Sequence, residues 1–287
     1  MRFRVRWAWL PAAPVLLALV CAVPAHADEW SKKYSFSGKP IVHVQTNDGN
    51  IDIYSGPAGE LDAHVTTNGY RIPNDVHVNE SQNGNSIDLD VRVPSMHFNL
   101  FGGMHKSLHI ELHVPAEADL DVQSGDGNVT SQSVSGNIRI NTGDGNINAQ
   151  GLKGDIRLHT GDGHIEAYDL DGGLNADTGD GHMNVRGRFD SLYLKSGDGS
   201  IEAEAAQGSK IASSWTLHTG DGRIELRLPD NFAADLEAHT GDGHISLDFP
   251  VTVQGSLSNT SIHGKMNGGG GSLTLTSGDG SIRVEKM

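Results

Sequence analysis

The chain has 287 residues, with 36 acidic against 21 basic side chains and a net charge of −15. That balance argues against nucleic acid and anionic membrane as partners, because both need a basic face. With a single cysteine, Cys21, no disulfide framework is available.

A secretory signal is predicted over residues 1–27. Arg2, Arg4 and Arg6 give a positive start, residues 7–23 are almost wholly apolar, and Ala25-His26-Ala27 supplies the small-x-small cleavage pattern. The apolar stretch is short for a spanning helix and ends at Pro24. No Arg-Arg pair points to twin-arginine export. Cys21 follows Val20, where lipidation calls for a small residue. The leader holds three of the basic residues and none of the acidic ones, so the chain from Asp28 onward carries net −18 and no cysteine. About 260 residues then bury a core by packing alone, enough for one large domain. No further transmembrane segment follows. An outer-membrane barrel is disfavoured, since it needs strands of ~9–11 residues and aromatic girdles, and aromatics here are 6%.

Residues 28–117 form an N-terminal β region. Its strands lengthen between 61 and 115, as at 86–93 and 107–114. Between those two lies an apolar loop, 94–104, with Phe98, Leu100, Phe101 and Met104. It is expected to cover the open end of the fold; the alternative is docking to a partner or a lipid surface.

Residues 118–287 are a repeat region continuous with it. A Thr/Ser-Gly-Asp-Gly turn recurs with its Asp at 48, 126, 144, 162, 180, 198, 221, 242 and 279. The four steps from Asp126 to Asp198 are equal, and the later ones are longer and uneven. The residues six and four before each Asp, and three and five after it, are apolar in almost every copy (Ile138, Ile140, Ile147 and Ala149 around Asp144), with Ser131 the one break. The residues between them are polar. Such alternation marks strands with one buried face. Each unit therefore reads strand, turn, strand, and all length variation falls in the connectors. A meander of hairpins needs no constant period. A β-solenoid does, because each coil stacks on the last ~4.8 Å away. The prediction is an all-β, single-domain, parallel β-helix-like solenoid of ~18-residue repeats. At the turn, Gly (Asn47 in the first copy) is expected for its tolerance of positive φ, and Asp and Thr/Ser for bonding the turn's own N–H groups.

The repeated Thr/Ser-Gly-Asp-Gly-x-Ile blocks, with the glycine-rich stretch 264–271 before the last of them, resemble the DUF4097 family of β-strand-repeat proteins, often described as candidate adhesins. The resemblance spans nearly all of the chain after the leader. It implies an adhesive or binding role and supplies no catalytic residues.

Three kinds of chemistry are open to the pattern. Asp126, Asp144, Asp162, Asp180 and Asp198 would stack into a carboxylate ladder that calcium could bridge. Unlike calcium-binding nonapeptide repeats, only one half of each coil carries the motif, which favours structural turns over a cofactor. His159, His218 and His239 stand three before the turn Asp, and His164, His182 and His244 two after it; His109 and His113 share one strand face. Such imidazoles can take transition metals or sense pH. A polysaccharide-active β-helix enzyme needs a special carboxylate pair, and every Asp of the ladder belongs to the repeat. The expectation is a non-catalytic scaffold exported to the periplasm, cell surface or medium, with a surface protein or glycan as partner. A calcium- or metal-dependent repeat protein is the alternative.

Overall fold

The computed structural model describes residues 27–93, 106–253 and 258–287. The predicted signal, apart from Ala27, and the loop with Phe98, Leu100, Phe101 and Met104 lie outside the described residues. Among the described residues there is no helix, hence none long and apolar enough to cross a membrane.

The strands run β1 (Ala27–Ser35), β2 (Ile41–Thr46), β3 (Asn50–Gly56), β4 (Glu60–Asn68), β5 (His77–Asn83), β6 (Ser86–Arg92), β7 (Ser107–Pro115) and β8 (Asp119–Ser124). Then come β9 (Val129–Gln132), β10 (Ser135–Thr142), β11 (Ile147–Gln150), β12 (Lys153–Thr160), β13 (Ile165–Thr178), β14 (Met183–Ser196), β15 (Ile201–Ala205) and β16 (Ser214–Thr219). The last are β17 (Ile224–Leu228), β18 (Ala234–Thr240), β19 (Ile245–Leu247), β20 (Val251–Val253), β21 (Ser261–Met266), β22 (Gly271–Ser277) and β23 (Ile282–Lys286).

The fold is all-β and solenoidal. Strands before the turns stack in parallel as one face, with β8 on β10, β10 on β12 and β12 on β13. Strands after the turns form the second face, with β9 on β11 and β11 on β13. Like positions of successive repeats pair in register, so Ile138 lies on Ile156, Ile140 on Leu158 and Ile147 on Ile165. The long strands β13 and β14 run from one face into the other.

The four apolar positions of each unit point inward as expected. Ile138, Ile140, Ile147 and Ala149 are all at most 2% exposed. Each large side chain so buried contributes ~1.5–3 kcal/mol. A fifth core column, unforeseen, comes from the connectors: Val134, Leu152 and Leu170, spaced as the turns are and buried. Just before it the chain bends through left-handed backbone at Ser133 (φ 59°), Gly151 (φ 66°) and Asp169 (φ 57°). The positive φ expected at the Gly-Asp-Gly turn therefore falls at the opposite corner; among the turn glycines only Gly49 has it, at 112°.

Stacking departs from chain order at both ends. The first unit, β2 and β3, sits under β8 and β9 although all of β4 to β7 comes between them in sequence. Below it lies a coil made of β6 and β7. At the other end the last unit in sequence, β22 and β23, inserts between the two preceding ones: β16 pairs β22, which pairs β18, and β17 pairs β23, which pairs β19. The long step from Asp242 to Asp279 makes this possible. It carries the chain through β20 and β21, which run antiparallel beyond β18, and back to the inner edge of β18. Antiparallel strands close the other end too, with β5 on β6, and β1 on β4 on β7. The outermost strand, β1, carries Lys32 and Lys33, which discourage further edge pairing. Lys32 and Tyr34 both bond Glu80 on β5, at 2.5 and 3.2 Å, tying the two closing strands together.

Candidate functional site

The Gly-Asp-Gly corner is held by its Thr or Ser, which is buried in every copy, from Thr46 to Ser277. The Thr160 hydroxyl accepts the N–H of Gly163 at 3.2 Å and donates to the carbonyl oxygen of Gly145, one coil away, at 2.8 Å. Thr178 and Thr219 repeat both bonds. The glycines answer to stacking. A Cβ on Gly145 would lie 2.0 Å from the carbonyl oxygen of Gly127, and one on Gly143 would lie 2.7 Å from that of Gly125. In the first copy Asn47 stands in place of the first glycine. Its side-chain amide clasps Val93, donating to the carbonyl at 2.7 Å and accepting the N–H at 2.9 Å.

The turn carboxylates do not bond the turn. Asp126, Asp144, Asp162, Asp180 and Asp198 are all exposed, and among the described residues none of their carboxylates takes a hydrogen bond or ion pair. The bonds expected of them are made by the hydroxyls. The structure does align these five aspartates in one column, followed by Asp221, Asp279 and Asp242 in that order. Among the described residues no three His, Cys, Asp or Glu side chains gather as a group able to hold a metal ion.

Two residues after each Asp runs a second ladder. Asn128 takes the N–H of Asn146 at 2.8 Å, Asn146 that of His164 at 2.8 Å, and His164 Nδ1 that of His182 at 3.2 Å. The rings of His164 and His182 stack, with centroids 3.7 Å apart. His159 pairs with Asp177 at 2.7 Å and His113 with Glu111 at 2.8 Å. His218 and His239 are parted by Thr276 of the inserted coil.

At the connector end of its strands, opposite the corner, the outer side of the first face holds a groove of about 660 Å³. It opens where side chains shrink. Seven before the turn Asp stand Asp119, Asn137 and Asp155, and then Gly173, Ser191 and Ser214. Its wall is Arg188, whose guanidinium grips both oxygens of Asp190 (2.8 and 3.1 Å) and also Asp171. The guanidinium hydrogen bonds, above all, hold the Asp190 carboxyl below the usual carboxylate range. Across the groove, Arg157 bonds Asp155 at 3.0 Å. Tyr193, 41% exposed, forms a ridge between this groove and a second depression of about 370 Å³.

The family model described as Toastrack DUF4097 matches residues 41–285. The chain belongs to the Toastrack family. Three solved structures match the chain, all at low identity. A candidate lipid-binding protein from Parabacteroides distasonis is 14% identical, with a TM-score of 0.50 over 91% of this chain and 98% of that one. A candidate adhesin from Parabacteroides merdae is 12% identical, with a TM-score of 0.41 over 90% and 96%. A candidate cell-adhesion protein from Clostridium sporogenes is 13% identical, with a TM-score of 0.33 over 91% and 100%. No curated protein matches the chain.

In this Toastrack chain, reading the repeat lengthwise finds the Asp and His columns. The groove escapes that reading, because its column does not repeat one residue type: five before each Asp, Arg139, Arg157 and Asn175 are followed by Tyr193.

Proposed function

We propose that this chain is a non-catalytic scaffold, exported to the cell envelope or surface, that works by binding and in adhesion. The observation that carries the reading is the stacked outer surface. The solenoid sets like side chains in columns ~4.8 Å apart. The corner's own bonds are made by buried hydroxyls, which leaves aspartates, imidazoles and Tyr193 facing outward. A polysaccharide-cleaving β-helix needs paired carboxylates or a base at one special place. Here the ladder aspartates repeat one environment, and Asp171 and Asp190 in the groove are engaged by Arg188. The partner is a surface protein or a glycan.

The test is a screen of the chain from Asp28 onward against immobilised glycans and surface proteins, with the same polysaccharides assayed for released oligosaccharides. Saturable binding without release is the expected result. Release of sugar would overturn the non-catalytic reading, and binding to none of the panel would overturn the scaffold itself. Export is checked by the mass of the processed chain, expected to begin near Asp28.

A further inference from the structure

We infer that the groove beside Tyr193 is an oligosaccharide-binding site, with a pyranose ring on the Tyr193 face and its hydroxyls on Asp155, Arg157 and Asn175. The inference rests on the scaffold reading and adds to it a place and a ligand class.

Four observations carry it. Tyr193 is one of three large apolar side chains exposed among the described residues, and no other ring or cation stacks on it there. Its phenol is an apolar plate with a polar tip, which suits the C–H face of a sugar ring and one rim hydroxyl. The depressions on its two sides share Tyr193, Arg157 and Asn175, so together they form a trough across several coils, suited to an extended chain. The polar groups of the trough are mixed and partly unspent. Asp155 engages one nitrogen of Arg157. Among the described residues the Asn175 amide makes no hydrogen bond and Arg139 makes no ion pair. Neighbouring donors and acceptors of both kinds match a polyol, whose every hydroxyl both donates and accepts.

The same features disfavour other occupants. A peptide strand would need a free sheet edge, yet the strands under the trough, β12 to β14, are paired on both sides. An acyl chain would need an apolar floor throughout, whereas that of the first depression is Gly172, Gly173 and Ser191 between charged walls.

The experiment measures binding of soluble glucose, mannose, galactose and N-acetylglucosamine hexasaccharides to the chain and to two variants, Tyr193→Thr and Asn175→Ala. Threonine is what the next coil carries at that register position, at Thr216. Asp144→Asn, on the outward turn column, is the control. The expected result is that Tyr193→Thr loses at least about tenfold in affinity for the best binder of the panel, Asn175→Ala loses less, and Asp144→Asn loses none, at equal melting temperatures. Unchanged affinity in Tyr193→Thr overturns the site while leaving the scaffold intact. So does binding of proteins but of none of the hexasaccharides. Binding of nothing overturns both. Should Tyr193→Thr melt early, nitration of tyrosine in the unaltered chain decides: the hexasaccharide is expected to shield Tyr193, and equal nitration with and without it overturns the site.

Discussion

The Thr160 side chain joins two coils, giving its proton to the carbonyl of Gly145 while taking the N–H of Gly163. Both partners are backbone groups shielded from water. In Thr160→Val each loses its bond, and a buried polar group left unpaired costs ~1–3 kcal/mol. Loss of ~2–4 kcal/mol in urea unfolding is expected, with Thr160→Ser close to neutral because serine fills this place at Ser196. Loss in Thr160→Ser with none in Thr160→Val would show that packing of the methyl group, and not the hydroxyl, holds the corner.

Gly145 and Asp144 are neighbours in one turn with opposite sensitivities. A methyl group on Gly145 meets the Gly127 carbonyl at 2.0 Å, and that oxygen belongs to backbone that cannot swing aside. Gly145→Ala is expected to cost ~3 kcal/mol or more, and Asp144→Asn to stay within ~0.5 kcal/mol. Thermal melts of the two single variants check the contrast.

Ser131 breaks the apolar pattern, and the structure leaves its hydroxyl buried without a partner. The residues above it are Ala149 and Ala167. Ser131→Ala is therefore expected to raise stability by ~1 kcal/mol, read as a higher urea midpoint at unchanged slope.

Acid should loosen the N-terminal closure. The Lys32 hydrogen bond, helped by Tyr34, holds Glu80 below the usual carboxylate range. A group whose pKa is depressed in the fold stabilises above its unfolded value, ~4.3, and loses that contribution as pH falls through the folded value. The wild-type chain and Glu80→Gln should differ most at pH 7 and converge below pH ~4. Curves that run parallel down to pH 3 would contradict this.

Chelation separates the scaffold from its metal-dependent alternative. With Thr and Ser hydroxyls holding the corners, the melting midpoint in EDTA is expected to equal that in calcium. A shift of many degrees would mean that a bound cation supplies folding energy, and would favour the Asp126 to Asp198 ladder as its site.

Much of this was legible in the sequence, for a physical reason. Ile138 and Ile156 are inward at equal offsets because parallel coils must align, so a constant step predicts the pairing. What the pattern could not give is the neighbour. Leu273, Leu275, Ile282 and Val284 carry the same inward set as every other unit, so they fit between any two coils, and only the long excursion through β20 and β21 decides which. The glycines were seen but misjudged, because a close approach from another coil leaves no mark in one turn's own dihedral preferences. Tyr193 occupies a polar-face position of its strand, and only the stacking of coils sets Arg157 and Asn175, from the two coils before it, in line with it.

The placement of β22 and β23 also governs when the rod can be finished. A chain made N-terminus first delivers β18 and β19 before the layer that lies beneath them. Until residues 271–286 emerge, Trp215 and Leu236 have no Leu273 between them, and two apolar faces stand open to solvent. Closure is thus gated on the arrival of β22 and β23: a chain broken off after Leu247 would display unfinished core, open to proteolysis, while one that includes residues 271–286 covers it.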